Sequence, residues 1–69
     1  MTEIVFLVEE DPESGYTARA IGESIFTQAE DLPKLREMVR DAIECHFPVL
    51  EERPRMVRLH AVRDEVFAL

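Results

Sequence analysis

The sequence predicts a single α+β domain over residues 1–69, in which one helix packs on a four-stranded mixed sheet with the element order βββαβ. A length of 69 residues leaves room for one domain. A hydrophobic fraction of 46% with a charged fraction of 33% is typical of globular rather than disordered chains. Short apolar or alternating runs surround a single stretch with helical periodicity, and this pattern predicts the fold class.

The first predicted strand spans residues 3–9, EIVFLVE, in which five apolar residues lie between acidic ones. Its length and β-branched content favour a strand that is apolar on both faces and central in its sheet. Residues 10–15, EDPESG, combine acidic residues with Pro, Ser and Gly, and this composition predicts a loop.

A β-hairpin is predicted to follow this loop. Residues 16–21, YTARAI, show an alternating pattern that indicates a half-buried strand. Gly22 and Glu23 fit the two central positions of a type II′ turn, which prefers glycine first. Residues 24–28 then form a third strand, antiparallel to the second.

The helix is predicted to begin after Asp31 and to end before Pro48. Asp31 can accept a hydrogen bond from a free backbone N–H of the first turn. Pro33 lies in that turn, where its missing N–H costs nothing. Pro48 ends the helix because the residue before a proline resists helical geometry. The apolar stripe of this helix comprises Leu32, Leu35, Val39, Ala42, Ile43 and Phe47.

The fourth strand is predicted at residues 56–63. A right-handed crossover through the helix sets it parallel to the first strand, which gives the spatial order 3-2-1-4. The helix is expected to cover one face of this sheet. On the solvent side of the helix, Arg40 has the spacing to pair with Glu37 and with Glu44.

No catalytic, metal or cofactor site is predicted. Cys45 and His46 are adjacent, but neighbours on a helix point about 100° apart and make a poor thiol–imidazole pair. These two residues and His60 lack the close spacing of a zinc site. We therefore expect that the protein is not an enzyme and holds no cofactor.

The charge balance narrows the classes of partner. Eight basic residues face fifteen acidic ones, which gives a net charge of −7. Binding to phosphates requires clustered Lys and Arg, so we expect no direct nucleic-acid binding. The same balance suits a basic partner, and it equally suits plain solubility.

Membrane contact and secretion are not expected. No apolar run approaches the ~18–20 residues needed to cross a bilayer, and the first residues do not resemble a signal peptide. The single cysteine leaves a free thiol, and thiols are kept reduced in the cytosol, so we expect a cytoplasmic location.

The open face of the predicted sheet is a candidate partner interface. Arg19, Arg58 and His60 lie on the strands that flank the first strand. With Val5 or Leu7 between them, they would form a mixed apolar and basic surface of the kind enriched in protein contacts. The alternative is a half-solvated sheet face that needs no partner.

A second candidate interface is the apolar segment that contains Val66, Phe67 and Leu69. It would extend the fourth strand, pack under the helix or meet a second subunit. A chain of this length rarely gains more than roughly 3–5 kcal/mol from its own core. One cysteine excludes an internal disulfide, so we expect a homodimer or a higher homo-oligomer.

Four segments carry a family resemblance: Gly15-Tyr16 at the start of a strand, FTQAEDL at residues 26–32, LREMVRDAI at residues 35–43 and VRLHAVR at residues 57–63. Together they resemble the N-terminal domain of HicB-like antitoxins. The resemblance implies a partial RNase H-like βββαβ fold without catalytic residues. It also implies dimerisation and capture of a small basic toxin that cleaves mRNA.

The sequence departs from that family at three points. It ends before the DNA-binding domain that complete antitoxins carry. Its connector between strands two and three is shortened to Gly22-Glu23, and Ala29 replaces a glycine at the joint before the helix. The leading hypothesis is a non-enzymatic, dimeric protein-binding module that resembles the toxin-neutralising domain. The alternative is a small-molecule-binding or sensor domain that uses the cleft between the helix and the sheet edge.

Overall fold

The order of elements along the chain is the predicted βββαβ. The computed structural model describes residues 2–13 and 15–69. A short 3₁₀ turn at Leu50–Glu52 lies between the helix and the last strand. The strands are β1 Glu3–Asp11, β2 Gly15–Ala20, β3 Phe26–Ala29 and β4 Met56–Ala61, and the helix is α1 Leu32–His46.

The four strands form one mixed sheet in the order β3-β2-β1-β4. β1 pairs antiparallel with β2 and parallel with β4, and β2 pairs antiparallel with β3. This confirms the predicted fold class and strand order. β1 lies at the centre because it supplies the apolar run that both neighbouring strands can pair with.

β1 is longer than its apolar run predicts. It continues through Glu9, Glu10 and Asp11, which pair with the first residues of β2. The strand therefore extends into the segment predicted as a loop, because the backbone ladder does not depend on apolar side chains. Ser14, which belongs to that predicted loop, lies outside the described residues.

The hairpin between β2 and β3 keeps the predicted register but has a longer connection. Arg19 pairs with Phe26, which is the pairing that a turn at Gly22 and Glu23 would give. The Ala20 N–H donates to the Ile25 carbonyl at 2.9 Å, and the ladder stops there. Gly22 has a φ of +87°, a value that favours glycine.

The helix begins at the predicted cap. The Asp31 carboxylate accepts a hydrogen bond from the Lys34 backbone N–H at 2.7 Å, and Pro33 occupies the first turn. The helix ends at His46, because Phe47 leaves helical geometry directly before Pro48. Leu35, Val39 and Ile43 are its buried residues.

The core lies between α1 and one face of the sheet. Its sheet side is supplied by Ile4, Phe6 and Val8 of β1 together with residues of β2 and β3, and its helix side by the buried stripe of α1. Phe6 and Leu35 are fully buried. Within residues 2–13 and 15–69, no buried side-chain nitrogen or oxygen lacks a hydrogen-bond partner.

The helix covers less of the sheet than predicted. It packs mainly against β3 and β2, and β4 has no fully buried residue. Val57 and Ala61 of β4, which face the helix side, remain exposed. The expectation that the helix covers a whole face is therefore wrong at the β4 edge. Across the described part of the chain, no helix is long and apolar enough to cross a membrane.

Candidate functional site

The sheet face opposite α1 carries no covering element within the described residues, and we call it the open face. Side chains alternate between the two faces along each strand. The burial pattern places Ile4, Phe6 and Val8 under the helix, so Val5 and Leu7 point to the other side. The same alternation assigns these side chains to the open face: Val5, Leu7, Thr17, Arg19, Phe26, Gln28, Met56, Arg58 and His60.

The register brings the predicted basic residues together around β1. Leu7 pairs with Arg19 on one side and with His60 on the other. Val5 pairs with Arg58. The half-buried side chains of Val5 and Leu7 therefore lie between Arg19 on β2 and the pair Arg58 and His60 on β4, as the sequence predicts.

Two large apolar residues of the open face were missed at the level of sequence. Phe26 of β3 is 63% exposed, and Met56 of β4 is 64% exposed. Phe26 lies beside Arg19, so it extends the row through Leu7 to the edge of the sheet. The alternation of side chains along the strands, followed from Arg19 through the hairpin, would have placed Phe26 on the open face.

Arg58 does not offer a free charge to a partner. Its Nε donates to Glu3 Oε1 at 2.9 Å, and its Nη2 lies 3.4 Å from Glu3 Oε2. This hydrogen bond and the attraction between the charges hold the pKa of the Glu3 carboxyl below its usual range and raise the pKa of Arg58. Arg19 makes no ion pair with any described residue.

One end of the sheet is acidic. Glu9 and Glu10 lie near the end of β1. Glu13 and Glu30 line one shallow depression where β2 and β3 meet. We call these four residues the acidic end. Glu9 also belongs by alternation to the open face, so the two surfaces are continuous.

A groove separates α1 from β4, where the helix fails to cover the sheet. Its volume is about 540 Å³, and its apolar lining includes Val39, Ile43, Val57 and Leu59. Four of the seven arginines in the chain also line it: Arg36, Arg40, Arg53 and Arg55. Sequence reasoning missed this cluster, because it depends on where the helix lies across the sheet.

None of these four arginines forms an ion pair with a carboxylate among the described residues. Arg53 Nε donates to the Phe47 carbonyl at 2.7 Å. Arg40 forms neither of its predicted pairs; Glu37 pairs instead with Lys34 at 3.3 Å. Among the described residues, no ion pair involves Arg36, Arg40 or Arg55.

Residues 62–69, which we call the tail, begin beside the open face, because Val62, Arg63 and Asp64 line a depression together with Leu7 and Glu9. The Val62 N–H donates to the Val8 carbonyl at 3.3 Å and continues the ladder by one residue. Beyond it, Val66 is 89% exposed and Phe67 is 75% exposed, and Leu69 is fully exposed. These three predicted interface residues therefore neither extend β4 nor pack under α1.

The remaining candidate residues do not form a reactive centre. Cys45 is an exposed free thiol. His46 Nε2 lies 3.2 Å from Glu23 Oε2, and its ring packs edge-on against Phe47. Over residues 2–13 and 15–69, no three His, Cys, Asp or Glu side chains converge as metal ligands would.

Comparison with known proteins identifies the family. A UPF0150 protein of Archaeoglobus fulgidus is 60% identical over 53 residues, which cover 77% of each chain. A UPF0150 protein of Thermotoga maritima is 39% identical over 67 residues, which cover 97% of this chain and 93% of the relative. The chain belongs to the UPF0150 family. No family model and no solved structure matches it. The UPF0150 family therefore includes an archaeal and a bacterial relative, and the alignment to the second spans nearly the whole fold.

Proposed function

We propose that this UPF0150 protein is a non-enzymatic, dimeric protein-binding module that captures a small basic protein on its open face. The observation that carries the proposal is the uncovered sheet face, on which Phe26, Leu7 and Val5 alternate with basic side chains. Exposed apolar surface next to arginine is the composition found at the centre of protein interfaces. A sheet face is also broad and shallow, which suits a protein better than a small ligand.

Charge favours a basic partner. Arg58 is neutralised by Glu3, which leaves Arg19 as the guanidinium of the open face without an ion pair among the described residues. Glu9 and Glu10 lie where the open face meets the acidic end. A basic protein that covers the apolar row would bring its own cations to these carboxylates, and such complementarity speeds association and orients the partner.

The HicB-like resemblance supports the same function. The element order βββαβ is the one that this resemblance implies. In the family, the corresponding domain neutralises a small basic toxin that cleaves mRNA. The central strand here presents Val5 and Leu7 instead of converging carboxylates, which supports a binding role over a nuclease role. From the single cysteine, we infer a cytoplasmic site of action.

Affinity capture with matched variants tests the proposal. The wild-type chain, Phe26→Glu and Leu50→Glu are each used as bait in a lysate of the source cells. Leu50 is the control because it is 69% exposed, close to the value for Phe26, and lies on the 3₁₀ turn away from the open face. Captured proteins are identified by mass spectrometry, purified and titrated against each bait by calorimetry.

We expect wild type and Leu50→Glu to bind the same small basic protein, with Phe26→Glu at least about tenfold weaker, since burying an unpaired charge in an interface is costly. Light scattering of the isolated chain is expected to give the mass of a dimer. A monomer that captures nothing would refute the proposal, as would equal binding by Phe26→Glu.

A second candidate function is recognition of a small anionic molecule in the groove. Its volume of about 540 Å³ falls in the range of about 300–1,000 Å³ common for ligand sites, and arginines surround it. A thermal-shift screen of anionic metabolites tests this function, because a ligand that binds the folded state raises the Tm.

A further inference from the structure

We propose that the groove between α1 and β4 receives the tail of a second copy of this chain, so that two copies exchange their tails. Tail exchange would be the contact that makes the proposed binding module dimeric. The inference rests on the proposed function in this one respect, the dimeric state. Each copy carries both an exposed apolar segment and an apolar groove.

The tail and the groove both present apolar side chains. Val66 and Phe67 extend into solvent. The groove has Val39 and Ile43 of α1 on one wall and Leu59 of β4 on the other. Docking would remove apolar surface from water on both sides, which is the general driving force for association.

The charges of tail and groove are opposite. Directly before its apolar residues, the tail carries Asp64 and Glu65, which together outweigh the single cation Arg63. The groove is lined by four arginines and one carboxylate, Glu44. Arg36, Arg40 and Arg55 make no ion pair within the described ranges. This concentration of positive charge is unusual on a chain whose net charge is −7. An acidic, apolar segment fits such a groove better than a basic or neutral one would.

The backbone of β4 is also open to an added segment. β4 is at the edge of the sheet, and β1 is its only strand neighbour among the described residues. The outer row of backbone groups on an edge strand is a template for an extended chain. An incoming tail could therefore add hydrogen bonds to its side-chain contacts.

The direction of the chain favours a second copy over the tail's own groove. The groove lies beside Met56–Leu59, at the start of β4, whereas the tail leaves from the other end. Val62 still follows the ladder, so the tail would have to reverse direction to return. Residues 61–69 contain no Gly, Pro, Asn or Ser, so Asp64 is the only residue of the segment that is typical of a tight turn. The molecule is 52 Å long and 19 by 18 Å across, which agrees with a tail that projects from the body.

Charge reversal in the full chain tests the contact by light scattering over a concentration series. Arg36→Glu with Arg40→Glu is expected to raise the dimer Kd at least about tenfold. Adding Asp64→Arg and Glu65→Arg to that variant is expected to restore the dimer, because the signs again match. Arg40→Glu alone is also expected to weaken the dimer. Lys34→Glu makes the same charge change at an exposed position of α1 outside the groove, and it is expected to leave the dimer unchanged.

A disulfide trap separates exchange from folding back. Cys45→Ser first removes the native thiol. One chain then carries Val57→Cys in the groove and a second carries Phe67→Cys in the tail. Mixing under mild oxidation is expected to give a disulfide-linked heterodimer, and Arg36→Glu with Arg40→Glu in the groove chain is expected to abolish it. A single chain with both cysteines that closes only on itself would show that the tail docks in its own groove and would overturn the proposal.

The two proposals fail in different ways. If Phe26→Glu loses the captured protein but keeps the dimer, tail exchange stands independently of the open face. If the dimer survives charge reversal of the groove and no trapped heterodimer forms, tail exchange is wrong, whatever the open face binds. An anionic metabolite that raises the Tm but does not lower the yield of disulfide-linked heterodimer when it is present during oxidation leaves the groove to the tail. One that displaces the tail at low concentration would overturn the assignment of its occupant.

Discussion

Gly15 occupies a position where the backbone leaves no room for a side chain. Its φ is +91°, and a Cβ there would lie 2.6 Å from the Ala29 carbonyl oxygen and 2.7 Å from the Glu30 carbonyl oxygen. Gly22 has a similar φ of +87°, but a Cβ there would have no neighbour within 4 Å. A side chain at Gly22 would therefore add backbone strain alone, whereas a side chain at Gly15 would add both backbone strain and a clash with the backbone at the end of β3.

We expect Gly22→Ala to lower the free energy of unfolding by about 1–2 kcal/mol, the cost of left-handed backbone in a residue with a Cβ. Gly15→Ala should cost about 1–3 kcal/mol more, since β3 must also move away. Urea unfolding measures both. Equal losses would contradict the close approach of β2 and the end of β3.

The Glu3–Arg58 pair predicts a pH dependence. Its hydrogen bond holds the Glu3 pKa below its usual range, so the folded state binds fewer protons there than the unfolded state. The resulting stability is present above the ordinary carboxyl pKa, and it is lost as the pH falls through the lowered value. Glu3→Gln should therefore be less stable than wild type at pH 7, and the difference should vanish in strong acid.

Unfolding of both proteins by urea from pH 7 down to pH 2 measures this difference. Glu30→Gln is the control, because Glu30 is exposed and makes no ion pair in the part of the chain that the structure describes. A Glu3→Gln difference that grows as the pH falls would contradict the sign of the shift.

The sequence predicts the position of a side chain well where the periodicity of its own strand or helix determines the face on which it lies. The two-residue period of strands places Arg19, Arg58 and His60 on one face, and the register confirms their positions beside Leu7 and Val5. Whether that face is an interface remains a prediction. The groove arginines could not be found in this way, because Arg36 and Arg55 are distant in sequence and meet only through the packing of α1.

At the scale of elements, the cap of α1 explains where the helix starts. The Asp31 carboxylate accepts the Lys34 N–H at 2.7 Å. We expect Asp31→Ala to lower the free energy of unfolding by about 1 kcal/mol, the usual cost of losing such a cap. Glu30→Ala, one residue earlier and without a role in the cap, should change it little. If both variants unfold alike, the cap contributes nothing measurable.

The position of α1 on the sheet could not be predicted from the periodicity of its apolar residues. The apolar stripe indicates which side of the helix is buried, and Leu35, Val39 and Ile43 are buried as expected. It does not indicate which strands lie below. A helix is about 10 Å wide with its side chains, and strands lie about 4.8 Å apart, so one helix covers about two strands. In a four-stranded sheet, this width leaves β4 uncovered and creates the groove.

At the scale of the whole molecule, the strand order was predictable and the coverage of the sheet was not. A right-handed crossover leaves few choices for a βββαβ chain, and the order 3-2-1-4 follows. The core of this short chain lies on one side of the sheet only. Uncovered apolar surface on the open face, in the groove and on the tail therefore remains for partners to bury.

Because a second copy is proposed to bury part of this apolar surface, we expect the Tm to depend on the protein concentration. A dimer unfolds to monomers, so dilution favours the unfolded state. Tenfold dilution should lower the Tm by a few degrees, since about 1 kcal/mol shifts the Tm of a domain this size by about 4–8 °C. Phe67→Glu should have a lower Tm that no longer depends on concentration. A constant Tm for the wild-type chain in calorimetry would contradict a dimeric native state.

Hydroxyl-radical footprinting of the isolated chain and of its complex with the captured basic protein tests the role of the open face most directly. Phe26 and Leu50 start with similar exposure, at 63% and 69%, so each residue serves as a reference for the other. We predict that the labelling of Phe26 falls several-fold in the complex, while the labelling of Leu50 is unchanged. Undiminished labelling of Phe26 in a saturated complex would show that the partner binds elsewhere and would contradict the proposed function of the open face.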